Sequence, residues 1–221
     1  MSTMTKLVLG AMGKLRPRPV AGTAAPAINL PEPCISGGMG LMEVFSARRS
    51  QRDFSARPLP LSLLSELLWA ANGTNRADGG RTAPSALNAQ EIEVYVALPA
   101  GAYRYDPVAH ALLLTAGADL RRITGYQDFV DDAPLDLIYV ANHARLSMVP
   151  VAQREAFAHV GAGAVAQNDY LFAAGNALAT VLRAWIDRGA IADALGLDHG
   201  QQVLLSQTVG YPKAADHVPA S

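Results

Sequence analysis

Arg48, Arg49 and Arg52 fall within five residues, with Ser50 between them. In a chain with 18 Lys and Arg in all, this is a concentrated positive spot. Guanidinium forks and a hydroxyl suit a phosphate, which offers several acceptor oxygens. The same placement suits a helix C-terminus, where the macrodipole favours cations. Spacing alone leaves both readings open. A second run, Gly161-Ala-Gly163-Ala-Val-Ala166, has the spacing of a dinucleotide-binding loop, with Asp187 about twenty residues on. Its context argues against that use, because residues 154–160 read as helix and too little chain follows for a nucleotide domain. His110, His143, His159, His199 and His217 are not paired with one another or with a cysteine at metal-ligand spacing, so no metal site is expected. A serine-hydrolase elbow and a phosphate-binding P-loop are both absent from the sequence. A borrowed cofactor is then the natural source of chemistry, and no catalytic side chain is expected.

The elements that would position these residues read as follows. Residues 1–40, with Pro17, Pro19, Pro26, Pro31 and Pro33, are expected to form an extended N-terminal arm. Leu41, Val44 and Phe45 mark a helix that ends in the arginine cluster. A second helix spans Leu61 to Asn72, and residues 73–90 form a polar loop. Strands are expected at 92–98, at 103–107 with 110–114, at 135–141 and at 203–209. Helices are expected at 118–124, 150–158, 160–178 and 187–195. This irregular mixture indicates an α+β layout rather than a repeating βαβ wind.

Composition narrows the function classes. Half of the 221 residues are hydrophobic and 17% are charged, which excludes a disordered chain and suggests surface covered by a partner. A net charge of −1 argues against a general nucleic-acid or membrane-surface binder. The single cysteine, Cys34, excludes an internal disulfide and a cysteine-based zinc cluster, and reads as an ordinary thiol. There is no apolar stretch of membrane-spanning length, and a cytoplasmic location is expected. Trp69 and Trp185 read as packing residues, Trp185 being the one placed to stack on a ligand.

Three segments resemble, in order, motifs of the FMN-dependent nitroreductase family. Ala47-Arg-Arg-Ser-Gln-Arg-Asp-Phe54 resembles its opening R-x-S-x-[RK]-x-F motif. Pro84-Ser-Ala-Leu-Asn-Ala-Gln90 resembles its P-S-x-x-N-x-Q segment, and Thr208-Val-Gly-Tyr-Pro-Lys213 its terminal GYP stretch. The resemblance implies a nitroreductase-like fold over residues 41–221, with a central, mainly antiparallel sheet flanked by helices, in an intertwined homodimer. It implies FMN at the subunit interface, with Arg48, Arg49, Ser50, Arg52 and Lys213 around its phosphate and ribityl chain. Pro84, Ser85, Ala86 and Asn88 would reach the flavin from the other subunit. Arg183, Ala184 and Trp185 fall where the family lines the ring, although the Gly and Glu of some members are absent there. The implied activity is ping-pong hydride transfer from NADH or NADPH, through flavin N5, to nitroaromatics, quinones or related conjugated acceptors. Two alternatives stand beside it: azoline-type oxidation or flavin modification by a family member of other chemistry, and a flavin-binding protein without turnover.

Overall fold

The computed structural model describes residues 1–20 and 22–213. In chain order its elements are α1 (Thr3–Ala11), β1 (Arg18–Pro19), β2 (Ala27–Asn29), α2 (Leu41–Ala47), α3 (Leu61–Asn72), β3 (Ile92–Leu98), β4 (Gly101–Asp106), β5 (Ala111–Ala116), β6 (Ala118–Asp119), β7 (Leu135–Asn142), α4 (Val151–Gly175), β8 (Ala179–Arg183), α5 (Arg188–Leu195) and β9 (Gln201–Gly210). Seven strands form one sheet in the order β2-β5-β4-β3-β7-β9-β8. All its pairings are antiparallel, as expected for a mainly antiparallel α+β fold.

The sheet is buried on both faces, so its central strands read as near-continuous apolar runs. Alternation still sorts the side chains. Val94, Val96, Leu137 and Tyr139 pack against α3 and α4, through Leu64, Leu67, Leu68, Ala158, Ala162 and Val165. Tyr95, Ala97, Ile138 and Val140 point the other way, towards Leu15 and the α5 residues Ile191 and Leu195.

Four elements depart from expectation, each for a local reason. Residues 1–40, expected to be extended, carry α1 and two short strands. Lys6 is fully buried, with Nζ 2.7 Å from Asp131 Oδ1 and donating to the carbonyls of Gln127 and Gly125. Arg18 reaches Asp119 at 2.9 Å and donates to the Asp131 carbonyl. These partners lie more than a hundred residues away, where no local pattern reveals them. The helices expected at 150–158 and 160–178 are one helix of 25 residues, α4. Gly161 does not break it, because a Cβ there would collide with Glu91 Oε1 and crowd Ile92. The glycine lets helix and sheet approach closely, which offsets its poor helix propensity. Residues 179–183 form β8, favoured by the β-branched Thr180 and Val181. Residues 118–124 form β6 and a single 3-10 turn, not a helix.

One buried network fixes a proton. The Tyr139 hydroxyl is 2.5 Å from Asp169 Oδ2 and 2.7 Å from Gln207 Oε1. A phenol has one proton for these two acceptors, so the Asp169 carboxyl must supply the other. Burial pushes that carboxyl well above its ordinary value, in agreement with the count.

Candidate functional site

α2 stops at Ala47, and Arg48 has extended backbone at φ −58° and ψ 121°. The next four residues therefore lie beyond the helix, where its dipole does not account for Arg52. They run beside β8, fixed by the Gln51 amide donating to the Thr180 carbonyl at 3.0 Å. Tyr170 of α4 holds the cluster from below. Its hydroxyl is 2.8 Å from Ser50 Oγ and accepts from the Leu182 amide at 2.9 Å. The Arg48 guanidinium lies over its ring, 5.2 Å from the centroid. The segment after β9 completes the neighbourhood. Phe54 bridges to Pro212, and the Lys213 amide donates to the Asp53 carbonyl. Arg52 and Lys213 consequently line one recess of about 460 Å³ with Phe54, Phe129 and the acids Asp53, Asp128 and Asp132. Among the described residues, Arg48, Arg49, Arg52 and Lys213 have no acidic side chain within 4.0 Å of their charged nitrogens. Arg48 and Ser50 are thus joined through Tyr170, and Arg52 and Lys213 through the recess, where three carboxylates stand with them.

Pro84, Ser85 and Ala86 lie elsewhere. With Phe157, Val160 and Gly161 of α4 they line an apolar recess of about 440 Å³ that shares no residue with the first. The following backbone is strained. Leu87, Asn88 and Gln90 have φ of 55°, 52° and 52°, conformations that cost of order 1–3 kcal/mol each in a non-glycine residue. Side chains hold this shape: the Gln90 amide donates to Ser85 Oγ at 2.8 Å, and Gln90 Nε2 donates to Gly79 O and Asn88 Oδ1. Asn88 is thus both a turn residue and an exposed group beside the recess. Glu91 follows, fully buried against Gly161, and neither carboxyl oxygen has a hydrogen-bond partner among the described residues. Burial pushes its carboxyl up.

Arg183 ends β8 with its side chain turned inward. It donates to Asp136 Oδ1 and Thr208 Oγ1, both at 2.7 Å, and to the Thr124 carbonyl at 2.9 Å. This guanidinium holds the interior together, leaving the backbone as what Arg183 can offer a ligand. Ala184 and Trp185 are exposed, and the Trp185 ring rests against Tyr126 at 5.5 Å between centroids. Trp69 is tied into its own loop by donating to the Thr74 carbonyl.

The sequence reading did not single out Tyr170 or Glu91. A tyrosine on a helix that is apolar on most sides, and an acid heading a buried strand, were the available signals. Partners 120 residues away, as in Ser50 and Tyr170, cannot be read from spacing.

Comparison with known proteins places this geometry in context. The Nitroreductase family model matches residues 45–211. Two of the relatives described as a "putative nitroreductase" are the following. One, from Methanocaldococcus jannaschii, is 34% identical over 151 residues, covering 64% of this chain and 76% of its own. The other is a crystal structure from Ralstonia eutropha JMP134, 51% identical over 91% of this chain and 96% of that one, with a TM-score of 0.87. The NADPH:FMN oxidoreductase of Vibrio harveyi, solved with NAD+, shares the fold at a TM-score of 0.57 and 20% identity, over 78% of this chain and 69% of that one.

Proposed function

The chain belongs to the nitroreductase family, and from that premise we propose that it is an FMN-dependent oxidoreductase drawing on NADH or NADPH. When bound, FMN would supply the two-electron chemistry, passing hydride to a nitroaromatic, quinone or related conjugated acceptor in ping-pong order. The observation that carries this reading is the Arg48–Arg52 segment, in which Arg48 and Ser50 rest on Tyr170, and in which the three arginines, like the nearby Lys213, have no acidic partner within 4.0 Å among the described residues. In this reading those cations hold the phosphate, and Ser50 adds a neutral hydrogen bond. The backbone of 183–185, tethered through Leu182 to the same Tyr170, faces the ring, and Trp185 offers an aromatic surface to a substrate.

The working unit we propose is a homodimer. Two separate recesses support it, one that brings Arg52 and Lys213 together among three acids and one that is apolar, because a flavin needs both a phosphate site and an apolar wall. A second copy would bring Pro84–Asn88 of one chain to the cations of the other. Exposed Val160 and Phe157 on α4 would lie in that interface. No helix among the described residues is long and apolar enough to cross a membrane. With its one cysteine, Cys34, exposed and free, we place the protein in the cytoplasm.

Anaerobic titration of the purified protein with NADH and NADPH tests the reading. The protein should be yellow, and its flavin should bleach with one equivalent of donor. A protein that cannot be loaded with FMN, or a loaded flavin that neither donor reduces, overturns it.

A further inference from the structure

β3 and β4 pair from Tyr95↔Arg104 to Leu98↔Gly101 and then part. β3 extends back to Ile92 beside β7, while β4 runs on to Asp106 beside β5. The split opens a recess within the sheet, lined by Asn72, Arg81, Gln90, Glu93, Arg104 and Arg145 among others. Three cations converge there. Among the described residues, neither Arg81 nor Arg104 has an acidic side chain within 4.0 Å, and Arg145 meets only Glu93, at 3.8 Å. That acid is already engaged, accepting from Gln201 Nε2 at 2.7 Å and Asn142 Nδ2 at 3.2 Å. Asp106, the other acid nearby, accepts from the Val108 and Ala109 amides.

Two of the three arginines are held in place before any ligand arrives. Arg81 donates through Nε to Gln90 Oε1 at 3.0 Å and through Nη1 to Thr74 Oγ1 at 3.1 Å. Arg145 donates to the Gln90 carbonyl at 3.3 Å. Burial and the charge of Arg145 both lower the Arg81 guanidinium below its ordinary value. Like charges in a shielded recess repel, and an anion between them turns that repulsion into attraction.

We propose that Arg81, Arg104 and Arg145 form a phosphate-binding subsite. A phosphate monoester carries nearly two negative charges and three terminal oxygens, which suits three forks partly offset by Glu93 better than a single carboxylate does. The recess, of about 30 Å³, has room for about one or two oxygens of such a group and leaves the rest of the ligand outside. Gln90 joins the subsite to Ser85 and Asn88. Resting on the oxidoreductase reading, that adjacency makes the 2′-phosphate of NADPH the favoured source, with free phosphate as the other.

Calorimetry on the purified protein, as isolated and after incubation with FMN, tests this with adenosine 2′,5′-bisphosphate, AMP and inorganic phosphate at matched ionic strength. The bisphosphate should bind, and the Arg104→Gln/Arg145→Gln double variant should weaken it about tenfold or more. Lys14→Gln, an exposed charge elsewhere, should leave it unchanged. Bisphosphate binding that exceeds both AMP and phosphate supports the dinucleotide source. Equal, arginine-dependent binding of bisphosphate and phosphate supports the subsite with free phosphate as its ligand. Absence of binding, or binding equal in wild type and double variant, overturns the subsite. The two readings fail separately: protein that takes no flavin yet binds phosphate through these arginines refutes only the redox proposal.

Discussion

Replacing Tyr170 by Phe removes one hydroxyl and keeps the ring beneath Arg48. The hydroxyl serves two partners, Ser50 Oγ at 2.8 Å and the Leu182 amide at 2.9 Å. Tyr170 is only 8% exposed, so water does not readily replace it at the Leu182 amide. An amide left without an acceptor in such a place costs about 1–3 kcal/mol. For a chain of this size that lowers Tm by about 2–12 °C, at about 2–4 °C per kcal/mol. The cation–π contact survives in Phe, so Tyr170→Leu should cost a further ~0.5–1 kcal/mol. FMN affinity should fall as well, because Ser50 and strand β8 lose their common anchor. A double-mutant cycle of Tyr170→Phe with Ser50→Ala isolates the link and should give a coupling of about 0.5–3 kcal/mol for FMN binding, read by quenching of flavin fluorescence. If the two changes are additive, and Tyr170→Phe binds FMN like the wild type, Tyr170 does not organise the site.

Other residues lead to equally concrete expectations. Glu91 has a raised carboxyl, so its contribution to stability is present below the ordinary glutamate value and is lost as pH rises through its folded value. Glu91→Met should therefore stabilise the protein at pH 8 by about 1–3 kcal/mol and by less at pH 5, measured by denaturant unfolding; a variant less stable at pH 8 contradicts the assignment. Arg183→Met should cost about 3–5 kcal/mol by stranding Asp136 in the interior, and adding Asp136→Leu should recover most of it. A loss below about 1 kcal/mol would show that the pair is not isolated from water. Arg48→Ala should raise the FMN Kd about tenfold or more, whereas Arg16→Ala should not change it; equal effects would remove the phosphate role. Val160→Glu should turn the dimer expected from light scattering into a monomer, and a dimer that persists would place the interface on another face.

The legible part of the fold was what local pattern encodes. Helix Leu61–Asn72 and strand 92–98 match the reading residue for residue, because an amphipathic repeat and a short apolar run leave few alternatives. The arginine cluster was legible as a concentration of charge, and the structure removes the helix-dipole account of Arg52 by ending α2 at Ala47. Tyr170, Glu91 and the inward turn of Arg183 were not. Each depends on a partner brought in by the tertiary fold, and Arg183 sits at the end of a strand that its sequence did not announce. The proline-rich start misled for the same reason: what orders it is Asp119 and Asp131, not its neighbours.

That last arrangement also bears on how the chain is made. α1 and the segment to Leu30 are synthesised before the residues that order them, and Lys6 waits for partners 119 and 121 positions later. At about 5–20 residues per second this is a delay of about 6–25 s. During it the Leu7–Leu9 run and Leu15 have no sheet to cover them. Slower translation between residues 30 and 131 lengthens that exposure, so synonymous codon changes there should lower soluble yield without touching the folded protein.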